Sequence, residues 1–313
     1  MHLGNGAITP ECAAVAFTVA GGGLSLAARS LRRTEIDRDR LLTAGALTGA
    51  IFAAQMVNIS VLPFSSAHLV GGALAAWVLG PALGAVSMAV VLTSQALLLG
   101  DGGLMTLGAN MINMALLPSA MVALIRGRPT RTVAGAVAAI AVVGAAVLII
   151  GEVALFRRAD QLHGLAAFAG QMLGIHLWIA LPEGLLTVAI LCALGGVVVP
   201  GQLRLDETRL AGCWGAAALL ILCLLPFASP MPDGYEAAAE RSGMIALLAE
   251  EEPEIESVGH ANARVARIQD VIVLAVHQTL ASDQLLGLVS MTLTGLAAYG
   301  VTYLFARRPA TCG

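Results

Sequence analysis

The chain has 313 residues, of which 58% are hydrophobic and 12% charged, and its mean hydropathy is +0.85. An ordinary soluble domain carries roughly 25% charged residues, so composition excludes a soluble enzyme or binding module and indicates a polytopic membrane protein. The net charge of −3 excludes little, because all 17 basic residues are Arg and in a membrane their placement matters more than their sum.

In chain order, Met1-His2 comes first. A free α-amine, the His2 amide nitrogen and the His2 imidazole Nδ1 can close two fused chelate rings on one ion. That arrangement suits nickel(II), copper(II) or cobalt(II). Read alone, the two residues are more simply an initiator Met followed by an unremarkable His, and only the rest of the chain favours the chelate. The stretch lacks a basic n-region, so a cleaved signal peptide is not expected. Nine apolar segments follow, over 11–28, 41–62, 69–80, 82–99, 104–125, 132–155, 170–198, 210–228 and 284–306, on the criterion that a spanning helix needs about 20 apolar residues. The third is short and glycine-rich, with Pro81 behind it, which predicts a half-span packed inside protein. The fold expected is an all-α polytopic helical bundle.

Arg29, Arg32, Arg33, Arg38, Arg40, Arg126, Arg128, Arg131, Arg204, Arg209, Arg307 and Arg308 fall on one side of these segments; Arg157, Arg158, Arg241, Arg264 and Arg267 fall on the other. Positive-inside logic makes the first side cytoplasmic, leaving Met1, residues 63–68 and the stretch 229–283 outside. That stretch holds ten acidic residues against three Arg, including Glu250, Glu251, Glu252, Glu254 and Glu256. It reads as a solvated face or a weak cation-attracting surface. Asp233 with Glu236 predicts a capped helix running to about Leu248. The five Cys have no ligand spacing and read as small packing residues.

Several polar residues stand where lipid or protein would have to cover them. His68 lies at the mouth of Gly71-Gly72, an ionisable group at a bilayer boundary that needs a partner. The small neighbours let another backbone approach, and an N-terminal strand is expected to pack there. Asn110, Asn113 and Met114 share one helical face, either as interhelical glue or as residues orienting metal ligands. His176 and Glu183, seven apart, share a face pointing into the bundle. Gly100-Asp101 is a poor match to an intramembrane aspartyl protease, since residue 98 is Leu and no second intramembrane Asp is present. An intramembrane hydrolase remains one rival, and a stand-alone secondary carrier, which would need inverted repeats that are not found, is another.

Taken in order, Met1-His2, Ser66-Ala67-His68-Leu69-Val70-Gly71-Gly72, Gly80-Pro81, Gln95, Gly100-Asp101-Gly102-Gly103, Leu107-Gly108-Ala109-Asn110, Gly174-Ile175-His176 and Glu183-Gly184 resemble the CbiM/NikM family. Its members are substrate-capture components of energy-coupling-factor cobalt and nickel importers. The match covers about 1–200, with about seven helices expected there. Pro232-Asp233-Gly234-Tyr235-Glu236 is similar to the PDGLE accessory domain, taken as 205–308 with two helices around the loop 229–283. The resemblance implies a transported Ni²⁺ or Co²⁺ held by Met1, His2 and His68, with Gln95, Asn110, Asn113, His176 and Glu183 behind them. It implies a transporter subunit, not an enzyme, without a cofactor or nucleic-acid partner. The implied partners are a transmembrane coupling subunit and ATPase subunits in a bacterial plasma membrane, with the N-terminus outside and the C-terminus cytoplasmic. Where the family usually has Pro-Asp-Gly after the third residue, this chain has Gly4-Asn5-Gly6, which is more flexible and lacks a carboxylate and so leaves open how tightly the N-terminal strand is held. An extra residue ahead of Met1 is expected to abolish capture.

Overall fold

The structure, a computed structural model, describes residues 2–125, 130–156, 163–195, 199–248, 259–280 and 282–306. Met1, Arg126, Arg128, Arg157, Arg158, Arg307, Arg308 and the acidic run from Glu250 to Glu256 lie outside the described residues, and so do the expectations placed on them.

Helix α1 (Pro10–Leu31) starts after Thr9, whose hydroxyl accepts from the Cys12 N–H, with Pro10 at the first position. Helix α2 (Arg38–Gln55) is capped by Asp37. The apolar run expected to continue to residue 62 instead turns into an antiparallel hairpin, β1 (Ile59–Leu62) and β2 (Ser65–Ala67). Strand propensity and the turn at Pro63-Phe64 override simple hydrophobicity there.

The short third segment is α3 (Gly72–Leu79), and all eight of its residues are buried. Gly80, at φ +87°, reverses the chain into α4 (Pro81–Ser94), which runs on through a π-helical turn over Gln95–Leu99. A Cβ on Gly84 would collide with the Ala76 backbone, so the α3–α4 hairpin closes only with glycine there. The segment expected as one helix over 104–125 is three pieces: α5 (Leu107–Met111), a π turn over Ile112–Leu116, and α6 (Leu117–Ala123). Wide turns of this kind are frequent at functional sites.

Helices α7 (Arg131–Phe156) and α8 (Leu165–Ala193) pack lengthwise through Gly135 and Gly184, each of which faces the other's carbonyl. Helices α9 (Glu207–Leu219) and α12 (Asp283–Phe305) flank α2; Gly45 and Gly295 let α2 and α12 touch, with Trp214 of α9 over both Gly49 and Gly295. Among the described residues, six helices are long and apolar enough to cross a membrane: Pro10–Leu31, Pro81–Leu99, Arg131–Phe156, Leu165–Ala193, Glu207–Phe227 and Asp283–Phe305.

The stretch 229–283 is more structured than its polarity announces. Asp233 accepts from the Tyr235 and Glu236 N–H groups while Glu236 accepts from the Asp233 N–H, a complete capping box that starts α10 (Gly234–Ser242). This helix ends earlier than expected, at Gly243, and a single 3-10 turn over Ile245–Leu247 follows. A second helix, α11 (Gly259–Thr279), has no counterpart among the expected segments.

Two ends of the bundle differ in chemistry. At one end Arg204 pairs with Asp37, and Arg40 donates to the Leu79 carbonyl. At the other, the N-terminal strand, the hairpin, the 100–106 loop, α10 and α11 converge.

Candidate metal centre

The convergence begins with Leu3. Its N–H donates to Asn110 Oδ1 at 2.9 Å, while its carbonyl accepts from Gly103 N at 2.8 Å, from Asn110 Nδ2 at 3.2 Å and from the Thr106 hydroxyl. Asn110 thus pairs with the strand as a neighbouring strand would, satisfying a buried peptide that would otherwise cost about 1–3 kcal/mol per orphaned group. Asn5 is also tied down: its Oδ1 accepts from Met105 N at 3.1 Å, and its Nδ2 donates to Gln269 Oε1 at 3.0 Å. Gly4-Asn5-Gly6 is thus anchored through the Asn5 side chain although it lacks a carboxylate. The amide of Asn5 uses both its ends as a carboxylate could not.

The strand does not pack on Gly71 and Gly72, as expected. Those glycines face Ile51 and the Met114 backbone, whereas a Cβ on Gly103 would collide with Asn5 and one on Gly102 would touch Asn110 and His2. Glycine permits close approach, but the approaching segment here is a bundle helix at one pair and the N-terminal strand at the other.

Held this way, the His2 ring is buried and stacks on His68, with centroids 5.4 Å apart and planes within 21°. His2 Nδ1 comes within 3.1 Å of Asp101 Oδ1, yet neither ring nitrogen makes a well-directed hydrogen bond among the described residues. Withdrawal from water works against the charge on Asp101, but the His2 imidazole holds its carboxyl well below the usual carboxylate range. The His68 Nδ1 lies 2.9 Å from its neighbour's carbonyl, Leu69 O; as donor to it, Nδ1 leaves Nε2 with the free lone pair, the arrangement metal-binding imidazoles use. Burial pushes His68 down to about 4, with His2 adding to the effect and Asp101 opposing it, so the ring is neutral at neutral pH and able to donate a lone pair.

Behind His68, the start of α3 is gripped by one carboxylate. Glu183 Oε2 accepts from Val70 N at 2.8 Å and Oε1 from Gly71 N at 2.9 Å, while Gln55 donates to Val70 O at 2.6 Å. His176, fully buried, bonds Met172 O through Nδ1 and turns its unpartnered Nε2 toward Gly234, beside a small cavity of about 10 Å³ that His68 and Asp233 also line. Two of the expected supporting residues are elsewhere. Asn113 donates to Glu152 of α7, and the buried Gln95 amide has no hydrogen-bond partner among the described residues. Asn110 and Asn113 share a helix but not a site, because the π turn beginning at Ile112 rotates Asn113 away.

Sequence reasoning missed Asp101 as a neighbour of His2, and missed Thr106, Glu152 and Gln269. The Gly-Asp-Gly-Gly loop was the available signal for the first; the others belong to no motif. The 229–248 stretch completes the rim: Ser66 N donates to Pro232 O at 2.8 Å, Ser66 Oγ to Met231 O at 2.7 Å, and Arg241 lies 3.9 Å over the Phe64 ring.

Replacing Glu183 by Gln keeps its volume but sets an N–H₂ against one of two backbone N–H groups. The Val70-Gly71 turn loosens two residues from His68, and ion affinity is expected to fall roughly 10- to 100-fold. Titration calorimetry in detergent checks this; an unchanged affinity would mean that the turn does not position His68.

The family described as the cobalt uptake substrate-specific transmembrane region, CbiM, matches residues 2–198. The cobalt transport protein CbiM 2 of Pelobacter propionicus is 34% identical over 208 residues, covering 62% of this chain and 90% of that protein. The fused nickel transport protein NikMN of Rhodobacter capsulatus is 31% identical over 170 residues, covering 54% of this chain and 43% of that one. The chain spans about half, or less, of the length of several other curated relatives. A solved structure, a truncated transition metal transporter, superimposes with a TM-score of 0.54 at 25% identity, covering 62% of this chain and 98% of that one.

Proposed function

Because the chain belongs to the CbiM family of cobalt-uptake substrate-specific transmembrane regions, we propose that it is the substrate-capture component of a transition-metal importer. It takes Ni²⁺ or Co²⁺ from the outer side and passes it inward. The observation that supports this most directly is the stack of buried His2 on His68, with the His68 Nε2 lone pair left free and the strand carrying His2 locked by Asn110. The ligand set is the Met1 amine, the His2 amide nitrogen and imidazole, and His68 Nε2. Four nitrogens in one plane favour nickel over cobalt. Asp101, Asn110 and Glu183 hold the donors in place.

The Arg-rich end of the bundle is cytoplasmic on the positive-inside rule, which puts the capture site at the outer end. Residues 1–200 form the capture domain and 205–308 an accessory domain whose 229–248 segment docks on the hairpin. Energy comes from partner ATPase subunits through a transmembrane coupling subunit.

The test is equilibrium binding of Ni²⁺ and Co²⁺ to the purified chain with an untagged N-terminus, followed by uptake in cells with and without coupling subunits. One tightly held ion per chain, and uptake only with the ATPases present, is the expected result. Absence of stoichiometric binding would sink the capture reading, and uptake by the chain alone would favour a secondary carrier.

A further inference from the structure

Among its described side chains, helix α11 buries one polar group, although its outer surface exposes Ile268, Val271 and Leu274. Gln269 is only 4% exposed, while Arg267, Ile268 and Asp270 beside it are exposed. Its Nε2 donates to Ala96 O at 3.0 Å and Gly102 O at 2.8 Å; its Oε1 accepts from Leu104 N at 2.9 Å and Asn5 Nδ2 at 3.0 Å. Both donors and both lone pairs of the amide are used, and the partners fix which end is oxygen. One turn on, Val273 seats against Gly100, which has a φ of +73°. The four partners belong to three segments: the π turn after α4, the 102–104 loop and the N-terminal strand.

Those segments form the wall of the capture site. The loop presents Asp101 to His2, its Gly103 N–H holds Leu3 O, and Asn5 lies three residues beyond His2. Pulling α11 away strands two carbonyls, one N–H and the Asn5 amide at once, so the wall and the strand loosen together. A stretch of more than 150 residues separates Gln269 from every one of these partners.

We propose that α11 is a latch on the capture site, resting on the reading above, and that Gln269 is its positioning residue: seated, it slows exchange of the bound ion; withdrawn, it frees the 100–104 loop and the N-terminal strand for entry and release. Gln269 touches no ion itself. Its effect is therefore on rates and on loop protection, beyond any effect on folding.

The experiment uses the full chain with Ni²⁺ as probe, comparing wild type, Gln269→Leu, Gln269→Glu and, as a control on an exposed position of α11, Ile268→Ser. Stopped-flow exchange measures ion association and dissociation, and hydrogen exchange of the ion-free protein measures protection over residues 100–106. Gln269→Leu is expected to speed dissociation roughly tenfold or more, with a smaller rise in association, and to lose protection at Leu104. Gln269→Glu keeps both acceptor bonds but loses both donor bonds, so it falls between. Ile268→Ser matches wild type. Rates and protection in either Gln269 variant indistinguishable from wild type would overturn the latch, as would a lowered melting temperature with unchanged rates. Should Gln269→Leu not fold, the rates and protection of Gln269→Glu decide by the same criteria. Failure of wild type to bind Ni²⁺ would overturn the capture reading instead, and the exchange pattern over 100–106 would still test the contact.

Discussion

His68→Ala is expected to abolish tight Ni²⁺ or Co²⁺ binding, with affinity falling roughly 100-fold or more, while the chain still inserts and folds. The geometry separates the two outcomes. His68 keeps Nε2 as its lone-pair nitrogen beside the His2 ring because Nδ1 is committed to Leu69 O, whereas the turn that follows is held by Glu183 and Gln55. Removing the ring therefore takes away a donor without releasing α3. The pH dependence of wild type sharpens the test. Burial holds the His68 pKa at about 4, below the ordinary value near 6.5, so its lone pair stays free until the pH approaches 4. Loss of affinity at higher pH must come from protons competing for the other nitrogens. Calorimetry with each ion, beside a melting curve, decides the matter; unchanged stoichiometry and affinity in His68→Ala would remove it from the ligand set.

Membrane class and most helix positions were legible because apolar length is a direct physical requirement of the bilayer. Where segments broke, the cause was local. The 41–62 run ended in a hairpin because β-branched Ile59 pairs with Ala67 and Ser60 with Ser66 across it, and the 104–125 run broke at a π turn that no hydropathy pattern records. The polar residues were legible as a set but not in their pairings. Glycine at 71–72 and at 102–103 signals close approach equally, and composition cannot say which backbone arrives. Helix α11 was hidden because Arg264, Arg267 and Asp270 interrupt its apolar positions. Gln269 was invisible for a deeper reason: a lone Gln acquires meaning only from partners more than 150 residues away.

The glycine question leads to the second large effect. Gly103→Ala is expected to cut ion affinity roughly 10- to 100-fold, because the new Cβ would lie 2.5 Å from Asn5 N and 2.8 Å from its Cα. Those are backbone atoms of the strand that carries His2, and they cannot swing aside as a side-chain tip would. The strand must move out, and with it go the Gly103 N to Leu3 O bond and the grip of Asn110. A control lies within the same strand: a Cβ on Gly4 meets nothing within 4 Å, so Gly4→Ala should bind ions as wild type does and gains slightly in order from a stiffer chain. Affinities of the two variants for Ni²⁺, with hydrogen exchange at Leu3 as a reporter of the strand, give the comparison. Equal affinity in Gly103→Ala and wild type would mean that the strand's seat on the 102–103 loop does not set the site, and that His2 is placed by other contacts.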